Sequence, residues 1–279
     1  MLEILGLYKS FRKKEVLKGI SVNLETGVYG LLGTNGAGKT TLMRCIVNLY
    51  NPTKGNIKFE EREIINNSTF SKYIGYLPQK FGLFKELTVY EMLEYFSVLK
   101  KLPKESMDSY IKKSIEIVNL DDKVNEKIST LSGGMIRRLG IAQAILGDPK
   151  IIIFDEPTAG LDPEERIRFK NLLSDIKEDR IIIISTHIVE DVEACCNKII
   201  IMQDGKILRE GTSEEIRLIA KGKVFQVKEG TEISSNHFVE RTFERNGENF
   251  SRVLSSKNEG YEGIEPSIED GYMCILKGI

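Results

Sequence analysis

Eight consecutive residues, Gly33-Thr34-Asn35-Gly36-Ala37-Gly38-Lys39-Thr40, constrain the fold of this chain more than any other stretch. They follow the pattern G-x-x-x-x-G-K-[ST]. Phosphates need several N–H donors converging on a small anion, and glycines let the backbone curl toward it without a Cβ in the way. Lys39 adds positive charge at the β- and γ-phosphates, and the Thr40 hydroxyl can take a Mg²⁺ coordination position. Such a loop works only between a strand and a helix. The apolar run Val28–Leu32 precedes it, and Leu42, Met43, Ile46 and Val47 follow at helical spacing. That helix would turn its positive end to the phosphates. Nucleotide phosphate binding by Gly33 through Thr40, with Thr41 beside them, is the first expectation.

Other parts of the chain repeat the strand–helix rhythm. Ile151–Phe154, Ile181–Ile184 and Ile199–Met202 are short, fully apolar and rich in isoleucine, which predicts buried strands. Asp162 can cap a helix, with Pro163 at its first position and Glu165 three residues on. Alternation of this kind predicts an α/β fold with a parallel central sheet covered by helices. From about 81 to 146 the strand signal disappears. Thr88–Glu91 reads as a capping box before a helix in which Val89, Leu93, Phe96 and Leu99 or Lys100 share a face. A second helix is expected from Asp108 to Val118. This region reads as a helical insertion. Beyond about 213, Lys223–Lys228 alternates with period two. Phe238–Phe243 and Phe250–Leu254 flank Asn246-Gly247, a hairpin signal. The expected division is therefore a nucleotide-binding part, 1–214, and a small, mostly β accessory part, 215–279.

Charge and cysteine usage exclude several classes. Lys plus Arg is 40 and Asp plus Glu is 41, a net charge of −1, so no global field draws the chain to nucleic acid or anionic lipid. The run Arg12-Lys13-Lys14 lacks interleaved aromatics and is expected to be a solvated hairpin turn. No run of about 20 apolar residues is present, and the N-terminus does not read as a signal peptide. A cytosolic chain is expected. Cys45, Cys195, Cys196 and Cys274 contain no C-x-x-C pair, which argues against structural zinc. With only His187 and His237, any histidine role is a single-residue role, and His237 is expected at the surface.

Two further motifs bear on chemistry. Ile151–Phe154 ends in Asp155-Glu156, two carboxylates at the C-terminal end of a buried strand, where ligands of open α/β sheets bind. Asp155 can hold Mg²⁺, and Glu156 is then placed to deprotonate a water attacking the γ-phosphate. Leu131-Ser132-Gly133-Gly134-Met135 precedes a helix expected from about Ile136 to Leu146. Ser132 can cap it, and Gly133 and Gly134 expose N–H groups at its N-terminus, a second anion site. A guanine-reading Asn-Lys-x-Asp is not found: Asn197-Lys198-Ile199-Ile200 lacks the aspartate.

Together these residues resemble the ATP-binding cassette (ABC) ATPases of membrane transporters, over roughly residues 2–220. The resemblance implies a P-loop NTPase core with an N-terminal antiparallel β part, and ATP and Mg²⁺ as ligands. Leu131–Met135 resembles the family's signature motif, with Met135 where Gln is usual. Gln79 resembles the residue that reaches Mg²⁺ and the attacking water, Ala159–Asp162 the D-loop, and His187 the switch histidine at the γ-phosphate. Phe11 resembles the aromatic that stacks on adenine, with Tyr8 as the neighbouring alternative. The family further implies a head-to-tail dimer, with itself or a homologous subunit. One copy supplies Phe11, the phosphate loop, Gln79, Asp155, Glu156 and His187. The other supplies Ser132–Gly134 and the loop ending at Asp162. A separate membrane permease is then expected, docked on an apolar surface of Phe81, Leu83, Phe84 and Tyr90. The ATPase would sit at the cytoplasmic face of the membrane, and its overall pattern is similar to that of ATPases paired with bacterial exporters. The alternative is an ABC ATPase acting on ribosomes or chromosomes.

Overall fold

The computed structural model describes residues 1–65, 67–231, 237–258 and 260–279. Strands β1 (Leu2–Phe11) and β2 (Lys14–Leu24) form an antiparallel hairpin, and its turn holds Arg12 at φ 55°. The basic run therefore lies at a solvated turn. Strand β3 (Gly27–Leu32) leads through the glycine-rich loop into α1 (Lys39–Ile46). Strands β4 (Lys54–Phe59) and β5 (Arg62–Glu63) return to the first pair, giving the order β2-β1-β4-β5. Strand β6 (Ile74–Leu77) precedes the helical region of α2 (Val89–Leu99), α3 (Lys104–Ile117) and α4 (Gly133–Ile145). Then β7 (Ile151–Asp155), α5 (Pro163–Ile176), β8 (Ile181–Thr186), α6 (Val189–Cys195) and β9 (Lys198–Gln203) alternate. Strand β10 (Lys206–Gly211) adds an antiparallel edge to β9. The central sheet runs β10-β9-β3-β8-β7-β6, and its other pairings are parallel.

The isoleucine runs show why this sheet is central. Ile151, Ile153, Ile181 and Ile183 pack with α1 and the N-terminal sheet. Ile152, Phe154, Ile182 and Ile184 point the other way, onto α4, α5 and the inserted helices. Both faces are covered, so period-two alternation is invisible in an all-apolar strand.

The inserted helices differ in detail from expectation. The Thr88–Glu91 capping box is present. The stripe that α2 buries is Val89, Met92, Leu93 and Ser97, however, and Leu99 is 59% exposed. Lys100 turns inward instead. Its ammonium donates to the carbonyls of Gln143 (3.0 Å) and Leu146 (2.9 Å), which end α4 without intrahelical partners. Helix α3 starts at Lys104, four residues before the expected Asp108. Pro103 precedes it, its φ fixed near the helical value, and Glu105 lies in the first turn.

The C-terminal part begins with α7 (Ser213–Ile219), capped by Thr212, so the expected 214/215 division falls inside a helix. Strands β11 (Val224–Lys228), β12 (Phe238–Arg245), β13 (Glu248–Leu254) and β14 (Glu262–Gly263) form a sheet of order β12-β13-β11-β14. Asn246 (φ 54°) and Gly247 (φ 78°) make the expected hairpin turn. The chain then forms α8 (Ile268–Lys277), a helix absent from the mostly β expectation although Ser267 and Asp270 cap its start and Gly278 its end. Helix α8 crosses α7 so closely that a Cβ on Gly271 would lie 2.0 Å from the Ile216 carbonyl oxygen. Ile268 and Tyr272 join Leu32, Val192, Ile199 and Ile201 in one cluster, which binds the tail to the central sheet. His237 is half-buried, edge-on to Tyr261 at 5.6 Å, and not the surface residue expected. Among the described residues no helix is long and apolar enough to cross a membrane.

Candidate active site

Parallel register brings the site together. Leu32 lies opposite Thr186, Asp155 opposite Ser185, and Leu77 opposite Phe154. Gly33, Glu156, His187 and Gln79 therefore all leave the sheet at one edge, the carboxyl end, where the chain reverses direction around β3.

The glycine-rich loop occupies the middle of that edge. Gly38 precedes α1 at φ 106°, a left-handed conformation that a side chain would strain. Lys39 is only 6% exposed, and its ammonium donates to the carbonyls of Gly33 (2.5 Å) and Thr34 (3.2 Å). Burial lowers its pKa, opposed by the negative fields of Glu156 and Asp155. An open cavity lies over the loop. Asn35 through Thr41 form its floor, Gln79 and Glu156 stand on one side, and Lys14, Val16 and Lys18 of β2 on another, with Asp204 at the margin.

Asp155 is buried beneath this floor. Its Oδ1 accepts from the Ser185 hydroxyl at 2.7 Å and the Thr40 hydroxyl at 3.3 Å. Its Oδ2 is buried without a hydrogen-bond partner. A buried, unsatisfied carboxylate oxygen beside a hydroxyl is a hard-donor set suited to Mg²⁺. Among the described residues no group of three His, Cys, Asp or Glu side chains could hold a metal. The Tyr76 phenol nearby is pushed up in pKa by burial and by Asp155.

Glu156 follows with φ 48°, unusual for a residue with a side chain. Its N–H donates to the Ser185 hydroxyl at 2.9 Å. Its Oε2 accepts from Gln79 Nε2 at 2.9 Å, and its Oε1 lies 3.4 Å from His187 Nδ1. The side chain of Glu156 is 12% exposed and that of His187 is 46% exposed. Of the three residues expected to serve hydrolysis, Gln79 and Glu156 line the phosphate-loop cavity, and His187 stands behind them against Glu156, off the lining. Sequence reasoning missed two supports, Ser185 and Arg137. Arg137 donates to the backbone carbonyls of Gln79, Asp155, Glu156 and Pro157.

Other expected residues lie elsewhere. Ser132 caps α4, its hydroxyl accepting from Met135 N, and Ser132 and Gly133 are exposed, off the cavity lining. Asp162 caps α5, accepting from Glu165 N at 2.9 Å. Phe11 is 41% exposed at the end of β1, its ring edge-on to Tyr50 at 5.3 Å with the Lys9 ammonium 5.0 Å away. Tyr8 lies against Gly19, where its hydroxyl would be 2.8 Å from an added Cβ. Neither aromatic lines the cavity over the loop.

A phosphate loop at the carboxyl edge of a parallel sheet, with a buried carboxylate below it and a second one above, defines a nucleoside-triphosphate-binding α/β protein. Comparison with known proteins narrows the class. Residues 17–159 match the family model described as ABC transporter. The chain is 36% identical over 235 residues to the uncharacterized ABC transporter ATP-binding protein YxlF of Bacillus subtilis (strain 168), covering 83% of this chain and 78% of that protein. It is 34% identical over 213 residues to the Nod factor export ATP-binding protein I of Rhizobium meliloti, covering 75% of this chain and 64% of that one. Other relatives are much longer: the chain spans 27% of ABC transporter A family member 8 of Dictyostelium discoideum. Among solved structures, cbiO1 from Clostridium perfringens, part of the ABC transporter complex cbiONQ, superposes with a TM-score of 0.71 at 28% identity. That match covers 77% of this chain and 89% of cbiO1. The chain belongs to the ABC transporter ATP-binding proteins, a family of ATP-binding ATPase domains.

Proposed function

We propose that this chain is the ATP-hydrolysing subunit of a membrane exporter, working as a head-to-tail dimer beneath a separate permease. The observation that carries the reading is the pairing of Gln79 with Glu156 beside the phosphate loop, with His187 against the other oxygen of Glu156. In this reading the loop N–H groups and Lys39 hold the phosphates, and Phe11 or Tyr8 stacks on adenine. Thr40, Gln79 and Asp155 would hold Mg²⁺, which supplies charge stabilisation at the β- and γ-phosphates when bound. Glu156 takes the proton of the attacking water, Gln79 orients that water, and His187 donates toward the γ-phosphate. The 3.4 Å approach of His187 to Glu156 keeps the two groups within reach of one another.

Ser132–Gly134 and Asp162 lie off their own chain's cavity, as groups meant for the ATP of a second copy would. Dimer closure on ATP and reopening after hydrolysis is then a population shift driven by differential binding to the closed state. Residues 1–214 form the ATP-binding part and 215–279 the accessory part, with α7 shared between them. The permease surface is proposed around Phe84, which is 52% exposed and packs edge-on against Tyr95 at 5.3 Å. Tyr95, Val98 and Leu99 extend it along α2, being 41%, 60% and 59% exposed. Tyr90 contributes less, since its hydroxyl is engaged by Asp108 at 3.0 Å. Phe81 and Leu83 are partly buried against the helical core. Export is supported by the Nod factor export relative. The location proposed is the inner face of the cell membrane, through the permease.

Two measurements test this. Phosphate release from ATP is expected to fall by about 10²–10⁴ in Glu156→Gln, the usual cost of losing a general base. Wild-type turnover in that variant would remove Glu156 from the role. Tagged chain is expected to be recovered from membranes with an integral membrane protein. Recovery with ribosomes and never with membranes would overturn the transporter reading.

A further inference from the structure

Helix α4 does more than present Ser132–Gly134. One turn along it, Arg137 turns toward the loops behind the active site. Its Nε donates to the Pro157 carbonyl at 2.9 Å. Its Nη2 donates to the carbonyls of Glu156 (2.5 Å) and Asp155 (3.3 Å), and its Nη1 to that of Gln79 (3.3 Å). These acceptors sit on two separate segments, the loop after β6 and the end of β7 with the loop that follows it. The guanidinium lies 5.8 Å from the ring centre of Phe81, and that ring presses on the helix at Gly140, where an added Cβ would meet it at 2.5 Å. Burial lowers the pKa of Arg137, while Asp155 and Glu156 oppose the shift.

The contact to Glu156 matters most. The φ of 48° at Glu156 is a left-handed conformation that costs a residue with a side chain some strain, and here both of its backbone groups are held. Ser185 holds the Glu156 N–H, and Arg137 holds the Glu156 carbonyl. Gln79, the other partner of the Glu156 carboxylate, is held through its own carbonyl by the same guanidinium. A planar fork with five N–H donors can serve this set, and an ammonium on a flexible stem cannot.

We propose that Arg137 is a positioning residue that clamps α4 to the loops carrying Gln79 and Glu156, so that the seating of Ser132–Gly134 and the placement of both hydrolytic side chains become one event. This rests on the roles proposed above for Glu156 and Gln79. Seating α4 on ATP held by a second copy then sets the hydrolytic residues of its own copy. Withdrawing α4 displaces them, so each site senses whether the other is closed.

The test uses the full chain with Arg137→Met and Arg137→Lys. Each is measured for phosphate release, for affinity toward a fluorescent ATP analogue, and for the Hill coefficient in ATP. In both variants kcat is expected to fall by about 10–100-fold, the scale of a misplaced catalytic group. Nucleotide affinity is expected to stay within about threefold, since the clamp is not a phosphate ligand. Any cooperativity in ATP is expected to be lost, and Lys not to rescue. Turnover within twofold of wild type in Arg137→Met, full rescue by Lys, or a loss of affinity equal to the loss of turnover would each overturn the clamp. Glu156→Gln is run beside them. If it is inactive while the Arg137 variants are normal, only the clamp fails. If it turns over at the wild-type rate, the assignment of Glu156 fails.

Discussion

Lys39 is buried to 6% exposure among carbonyls, and the proposed function assigns its charge to phosphate. Charge-assisted hydrogen bonds contribute about 1.5–3 kcal/mol, so Lys39→Met is expected to weaken ATP binding by about 10–150-fold in calorimetry. Unchanged affinity would separate Lys39 from the phosphates. The adenine contact has an equally local test. Stacking contributes about 1–3 kcal/mol per base, so Phe11→Ala should cost at least about fivefold in affinity and Tyr8→Ala little. The reverse order would assign the base to Tyr8. The phosphate loop and the Asp155-Glu156 pair are legible in the sequence because each is contiguous and its chemistry dictates residue type: glycines where backbone N–H groups must converge, carboxylates where a strand ends. Arg137 is not, because its partners are backbone carbonyls at Gln79 and Asp155–Pro157, and an acceptor carbonyl leaves no mark on residue type. Ser185 escaped notice for a related reason: its role depends on the parallel register of β8 beside β7.

Among the elements, those with strong local signals were read correctly and those decided by tertiary contact were not. The capped start of α5 at Asp162-Pro163 and the Asn246-Gly247 hairpin needed no distant partner. On α2 the expected face holds at Val89, Leu93 and Phe96, and of the two candidates at its end it is Lys100, bound to the open end of α4, that turns inward. Helix α8 follows a run of strand signals, and Gly271 near its start, which lets it cross α7, weakens the helix propensity that its caps would otherwise mark. That helix is tied to the C-terminal sheet by Arg252 of β13. Arg252 binds Asp270 through two bonds, Nε to Oδ1 at 2.8 Å and Nη2 to Oδ2 at 2.6 Å. Glu240 of β12 is left with the poorer contact, 3.3 Å from the Arg252 Nε. Burial and the charges of Asp270 and Glu269 then raise its pKa from 4.5 to about 7. A carboxyl raised in the folded state gives full stability below its unfolded pKa and loses it as pH rises through the folded one. Glu240 should therefore cost stability progressively between about 4.5 and about 7 and fully above that. Glu240→Gln is expected to melt higher than wild type at about pH 8 and to match it at about pH 4. A difference of equal size at both values would contradict the assignment.

For the molecule as a whole, the sequence carries the motifs proposed for both halves of a composite site but does not mark the surface that meets a partner. Exposed apolar residues on α2 are indistinguishable in sequence from core residues, and only the fold separates Val98 and Leu99 from Val89 and Leu93. The double variant Phe84→Asp, Leu99→Asp is expected to bind ATP as wild type does and to lose recovery with a membrane partner. Retained recovery would move the docking surface elsewhere. The central claim is that two copies close on ATP through Ser132–Gly134 and reopen on hydrolysis by Glu156. Its most direct test is the mass of Glu156→Gln in solution with ATP and Mg²⁺. The mass is expected to rise from the 31.6 kDa of one chain to twice that value on adding ATP, and to fall back when ATP is replaced by ADP. A chain that stays at 31.6 kDa with ATP bound would contradict the account.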